Sequence, residues 1–103
     1  MKVLEIHISC AAAHFIQENE IFKKSFFLEF EWLEQEKFWL LHIFDQQSQA
    51  LSTGIKLMPN WPLYSHRDAQ KPFTFMLLEK SLNQDLSRHS LSQAFSLVAY
   101  EAV

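Results

Sequence analysis

Histidines, one cysteine and an alternating pair of glutamates are the side chains of this 103-residue chain that could do chemistry. His7, Cys10 and His14 would begin a zinc site, but zinc takes four ligands and no fourth stands at metal spacing. His42, His66 and His89 are scattered, so the five histidines are expected to be ordinary strand or surface residues. Cys10 as a nucleophile would need a positioned base and an oxyanion hole, and nothing in the sequence points to either. A small semi-buried thiol is the expectation. Glu29 and Glu31 stand on one face of an extended strand, roughly 7 Å apart at a rise of roughly 3.3 Å per residue. A glycosidase pair needs carboxyls in that range, but alternating glutamates are commonplace on a solvated strand face or at the charged rim of an interface. With a single glycine, Gly54, phosphate loops and nucleotide fingerprints are excluded. The expectation is a protein that is not an enzyme, with no metal and no cofactor.

Composition narrows the class further. The chain is 49% hydrophobic and 15% aromatic, with a formal net charge of −3, which lacks the basic footprint of a nucleic-acid binder. No apolar run approaches the roughly 20 residues that span a membrane. No secretory signal is visible at the start, and a lone cysteine allows no intrachain disulfide, so synthesis in a reducing cytoplasm is expected. The length suits one domain, residues 1–103, with one core.

The elements that must position these residues are organised around residues 25–61 (SFFLEFEWLEQEKFWLLHIFDQQSQALSTGIKLMPNW). Phe26, Leu28, Phe30 and Trp32 share one face of a strand. Glu29 and Glu31 fall on the other, flanked by Phe27 and Leu33, which is the period of a half-buried strand. Residues 34–37 form a polar turn. A second strand follows, with Trp39, Leu41 and Ile43 on one side and Phe38, Leu40, His42 and Phe44 on the other. Being apolar on both sides, it is expected to be central and buried on both faces. Residues 45–49 turn again, and residues 50–58 form a third strand that stops at Pro59.

Around this meander, residues 3–9 alternate as a first strand and residues 11–15 read as loop or a short turn of helix. Residues 16–22 read as a hairpin connection or an edge strand, and Lys23 and Lys24 as a solvated turn. Residues 73–79 and 95–101 alternate as later strands. Residues 65–71 read as a solvated loop. Residues 80–92 read as loop, with a loose helical stripe through Leu82, Leu86 and His89 as the alternative. About six strands joined by short loops predict an all-β single domain, a small antiparallel barrel or sandwich. Closure into a barrel would also remove exposed edges.

The prolines at 59 and 62 predict a rigid extended crossing over residues 59–64 that continues neither a ladder nor a helix. Trp61, held between them, is the principal interface candidate, together with Pro59, Pro62, Leu63 and Tyr64. The plainer reading of Trp61, which the residues favour, is that it folds back to cap an open end of the core, with Leu63 and Tyr64 sharing whichever role it takes.

Taken in order, the motifs resemble a known family. The opening strand with Leu4, Ile6 and Ile8 is followed by Phe30 and Trp32 at an aromatic turn. Then come Trp39, Leu41, Ile43 and Asp45 in a W-x-L-x-I-x-D strand, Gly54, Leu57 and Pro59 in a G-x-x-L-x-P segment, and Tyr100 with Glu101 at the close. This series is similar to the baseplate plug (central hub) proteins of contractile-tailed phages, such as the plug of a cyanophage baseplate. The resemblance covers nearly the whole chain. It implies a structural role in the hub of a phage or prophage-derived contractile tail, near the end of the tube and the spike, with no reaction. It also implies baseplate, hub and tail tube proteins as partners, a homo-oligomer with three copies about the tail axis, and a place in the virion after assembly in the host cytoplasm. No membrane and no direct nucleic-acid contact are expected. From another class, the alternative is a small cytoplasmic binding protein, such as an immunity protein or inhibitor of a toxin or nuclease. An acidic patch gathered on one face would favour that alternative. A polar exterior with an apolar flank would favour assembly.

Overall fold

The antiparallel meander expected from the alternating pattern is the spine of one of two sheets. The computed structural model describes residues 2–9, 12–67, 72–80 and 85–101. They form β1 (Val3–Ile6), β2 (His14–Ile21), β3 (Lys24–Leu33), β4 (Phe38–Asp45), β5 (Ala50–Lys56), β6 (Pro62–His66), β7 (Phe73–Glu79), α1 (Leu91–Ala94) and β8 (Phe95–Glu101). The first sheet runs β2-β3-β4-β5 and the second β1-β8-β7-β6, and neighbouring strands are antiparallel throughout. The fold is all-β, as expected, with eight strands where about six were expected. The two sheets stack as a sandwich and do not close into a barrel.

The first sheet folds from local turn chemistry. Phe22 and Lys23 both take positive φ, 49° and 72°, in the two-residue turn between β2 and β3. That backbone matches the twist of a hairpin. The Phe22 ring accepts this unusual conformation while packing toward Phe73, at 6.0 Å between centroids. The polar turn at residues 34–37 forms as expected. Lys37 N donates to the Leu33 carbonyl at 2.7 Å, and Lys37 Nζ pairs with Glu34 at 2.7 Å. Between β4 and β5, Asp45 Oδ1 accepts from Gln47 N and Gln49 N, each at 2.9 Å, a side chain standing in for backbone in the turn.

The core lies between the sheets. From the first sheet it takes Phe26, Leu28 and Phe30 of β3 and Trp39, Leu41 and Ile43 of β4; from the second, Phe73, Phe75 and Leu77 of β7 and Phe95, Leu97 and Ala99 of β8. Each such large side chain contributes roughly 1.5–3 kcal/mol by leaving water. Strand β4 is central, but the expectation that it is buried on both faces fails. Its Phe38, Leu40, His42 and Phe44 are only half-buried, because nothing among the described residues covers the outer face of that sheet. Residues 85–90 close one end of the sandwich. The Trp39 indole N–H donates to the Ser87 carbonyl at 3.0 Å, which satisfies its one polar atom in the core. The Ser90 hydroxyl donates to the Asp85 carbonyl at 2.8 Å and accepts from Ser87 N at 2.8 Å, folding this polar stretch into a loop that leads into α1. Among the described residues of this stretch the expected loop runs to Ser90, and helix begins only at Leu91. Leu82 of the alternative helical stripe lies outside the described residues.

Because the sheets stay open, three of their four edge strands carry a device against further pairing. β1 is short, β6 begins at Pro62, and β5 pairs with β4 through register shifts. Each device makes the edge a poor template for a further strand.

Candidate interaction surfaces

The residues with potential chemistry do not converge. His7 is exposed after β1, and its carbonyl accepts from Gln17 Nε2 at 2.8 Å. Cys10 lies outside the described residues. Among the described residues, no group of three His, Cys, Asp or Glu side chains is placed to hold a metal ion. Glu29 and Glu31 do share the outer face of β3, but each is drawn to a different histidine. Glu29 pairs with His14 Nε2 on β2, and Glu31 Oε1 lies 3.2 Å from His42 Nε2 on β4. Gly54 N donates to His42 Nδ1 at 2.9 Å, so the neutral ring carries its proton on Nε2 and donates it to Glu31. Gly54 reaches this position with φ +70°, a conformation that disfavours residues bearing a Cβ. His66 stacks on Phe73 at 4.9 Å, and His89 lies beside Arg88. Lys23 and Lys24 are exposed and line an open hollow of about 360 Å³ with Asp45, Gln46 and Gln47.

The crossing from one sheet to the other is ordered by specific contacts. Leu57 is buried, and its N–H donates to the Trp39 carbonyl at 2.9 Å. Pro59 bridges to Leu77 of β7. Asn60 takes φ 62°, its N–H donates to the Leu77 carbonyl at 2.6 Å, and its Nδ2 donates to Glu79 Oε1 at 3.1 Å. An asparagine tolerates this left-handed backbone better than most residues. These contacts pin the chain just before Trp61, and the pairing of Pro62 with Met76 pins it just after.

Trp61 points away from the core and is 60% exposed, so it caps no open end of the sandwich in this chain. Met58, 41% exposed, precedes it on the same turn. The crossing ends sooner than expected: Pro62 opens β6, which pairs with β7 through His66. The prolines forbid a central strand but permit the first residue of an edge strand, where no ladder N–H is needed. This strand also takes part of the stretch expected as a solvated loop.

The five interface candidates therefore separate. Trp61 and Pro62 are exposed, Pro59 is half-buried on the bridge, and Leu63 and Tyr64 pack against the core. Tyr64 sits 5.9 Å from Phe75 between ring centroids, and its hydroxyl meets His66 Nδ1 at 3.0 Å. Burial pushes the Tyr64 phenol above its ordinary value of 10.0. Leu63 and Tyr64 are half-buried against the core while Trp61 is exposed, so the three differ in placement. A bulge between Pro62 and Tyr64 lets both of these consecutive residues, Leu63 and Tyr64, pack against the core, where a regular strand would turn one of them away.

The fold and its surfaces define a small all-β sandwich whose aromatic side chains serve mostly as core, with an anchored tryptophan left outside. Residues 3–102 match the family described as cyanophage baseplate Pam3 plug gp18, and the chain belongs to that family. No curated protein matches the chain, and no solved structure matches it. Residues of the motif series have visible jobs in the fold: Trp39, Leu41, Ile43 and Leu57 are core, Asp45 shapes a turn, Gly54 sits at the register shift of β5 against β4, and Pro59 ties the crossing to β7. Among the described residues, no helix is long and apolar enough to cross a membrane.

Proposed function

We propose that this protein is a structural component of a phage or prophage-derived contractile tail baseplate, in the hub or plug position near the tube end and spike. The observation that carries this is the family match over residues 3–102. The role is assembly and involves no reaction. Its partners are the neighbouring baseplate, hub and tail tube proteins, and three copies surround the tail axis. The chain is assembled in the host cytoplasm and carried in the virion tail. Trp61 supports this reading, because a rigidly held, exposed indole is the type of side chain that anchors interfaces.

The second reading, a small immunity protein or inhibitor, draws on Glu18, Glu20, Glu29 and Glu31, which the registers gather on one face of the first sheet. Quantitative mass spectrometry of purified, sedimented tail particles separates the two. A small fixed ratio of this chain to the tube protein is expected. A chain that is absent from particles and found free, or bound to a soluble partner, would overturn the baseplate reading in favour of the second.

A further inference from the structure

The outer face of the β2-β3-β4-β5 sheet carries a surface that the Trp61 crossing does not account for. The registers set Glu18 opposite Phe27, Phe27 opposite Phe44, and Ile16 opposite Glu29. Ile16, Phe27 and Phe44 therefore lie side by side, and with Glu29 and Ser48 they line an open hollow of about 350 Å³. Ile16 is 61% exposed, and both phenylalanines are only half-buried. Contiguous apolar surface left wet on a folded chain marks a contact site.

The charge bordering the hollow on β2 is acidic, while Lys23 and Lys24 stand past Glu20 at the β2–β3 hairpin. Glu18 and Glu20 on β2 are exposed, and neither has an ion-pair partner among the described residues. No lysine or arginine lies on β2, and Lys56 stands at the far side of the face, over the Phe38 ring. A second copy of this chain seated here about a twofold axis would bring the same acids against one another, which disfavours it. Charge complementarity calls for a basic partner.

We propose that this hollow docks a segment of a different tail protein, one that presents a bulky apolar side chain flanked by lysine or arginine. The apolar side chain fills the space between Ile16, Phe27 and Phe44, and the flanking cations face Glu18 and Glu20. This inference rests on the baseplate assignment above, and it makes the chain a two-sided connector, because Trp61 leads into the opposite sheet.

The test uses the full chain assembled into tail particles. In the first arm, the substitution Ile16→p-benzoylphenylalanine places a photocross-linker on the rim, and irradiated particles are digested and sequenced by mass spectrometry. The expected product joins position 16 to an apolar residue of another tail protein with Lys or Arg within a few residues. A product joined to this same chain or to an acidic segment, or no product from particles that contain the chain, would overturn the proposal. In the second arm, the double variant Glu18→Lys/Glu20→Lys is expected to lower incorporation at least about tenfold, with an unchanged melting temperature because both side chains are exposed. Wild-type incorporation of that variant would also overturn it. Wild-type copy number is read from the same samples. Absence of the wild-type chain from particles would overturn the baseplate assignment and this inference together, whereas its presence without the expected product overturns only the docking hollow.

Discussion

Trp39 and Trp61 are the same side chain in opposite circumstances. Trp39 is 1% exposed and Trp61 is 60% exposed. Trp39 lies in a strand whose alternate residues Leu41 and Ile43 share its face, so the period of the strand carries the ring inward, and the Ser87 carbonyl takes its N–H. Trp61 follows an asparagine in the left-handed region and precedes the proline that opens β6. No period acts there, and the backbone turn presents the ring outward. A side chain with the same apolar area is thus committed to folding in one region and left available for association in the other.

The comparison can be broken most severely at Trp39. Trp39→Ala is expected to destabilise the isolated domain by about 3–5 kcal/mol, through lost burial and the cavity left behind. Urea unfolding measures this, and a loss under about 1 kcal/mol would mean that the core does not depend on this ring. Trp61→Ala should do the reverse. The isolated chain is expected to unfold at nearly the wild-type urea midpoint, while incorporation into tail particles weakens by on the order of 2 kcal/mol. A large fall in the unfolding midpoint would assign Trp61 to folding and erase the contrast.

Two smaller effects sharpen the account of what holds each region. Gly54→Ala meets no atom within 4 Å but must hold φ +70°. It is expected to cost about 1–2 kcal/mol by backbone strain alone, read from the same unfolding curves. Wild-type stability would show that β5 relaxes at no cost. Tyr64 yields the smallest effect and a pH signature. Its raised pKa means that the folded state holds the phenolic proton more tightly than the unfolded chain. Its contribution is therefore fully present below the ordinary value, about 10, and is lost as pH rises through the folded value. Tyr64→Phe should flatten stability against pH above about 10, and an unchanged alkaline slope would show that the hydroxyl is solvated.

The legible parts of the fold were those where chemistry alternates. Strands β3, β4, β7 and β8 follow directly from Phe26, Leu28 and Phe30, from Trp39, Leu41 and Ile43, and from their counterparts Phe73, Phe75 and Leu77 and Phe95, Leu97 and Ala99. The turn at residues 34–37 was legible from polarity. The β2–β3 turn was legible at Lys23 but placed one residue late: Phe22 belongs to it and Lys24 opens β3, because Phe22 carries no Asn-Gly signal and its ring packs toward Phe73. β6 was hidden by Pro62, since the sequence does not say whether a strand lies at an edge, where its first residue can lack an N–H. The half-exposure of Phe38, Leu40 and Phe44 was hidden for a related reason: an apolar strand face looks the same whether the chain covers it or a partner does. At the crossing, the residue types marked Trp61, but its outward placement came only with the hydrogen bonds of Asn60 to Leu77 and Glu79.

The central claim, that this sandwich is a plug-position component of a contractile tail, is tested most directly by electron cryomicroscopy of intact tails. Density for the two four-stranded sheets on the tail axis at the tube end, with Trp61 against a neighbouring subunit, is the predicted result. Complete baseplate density with no such sandwich at the hub would contradict it.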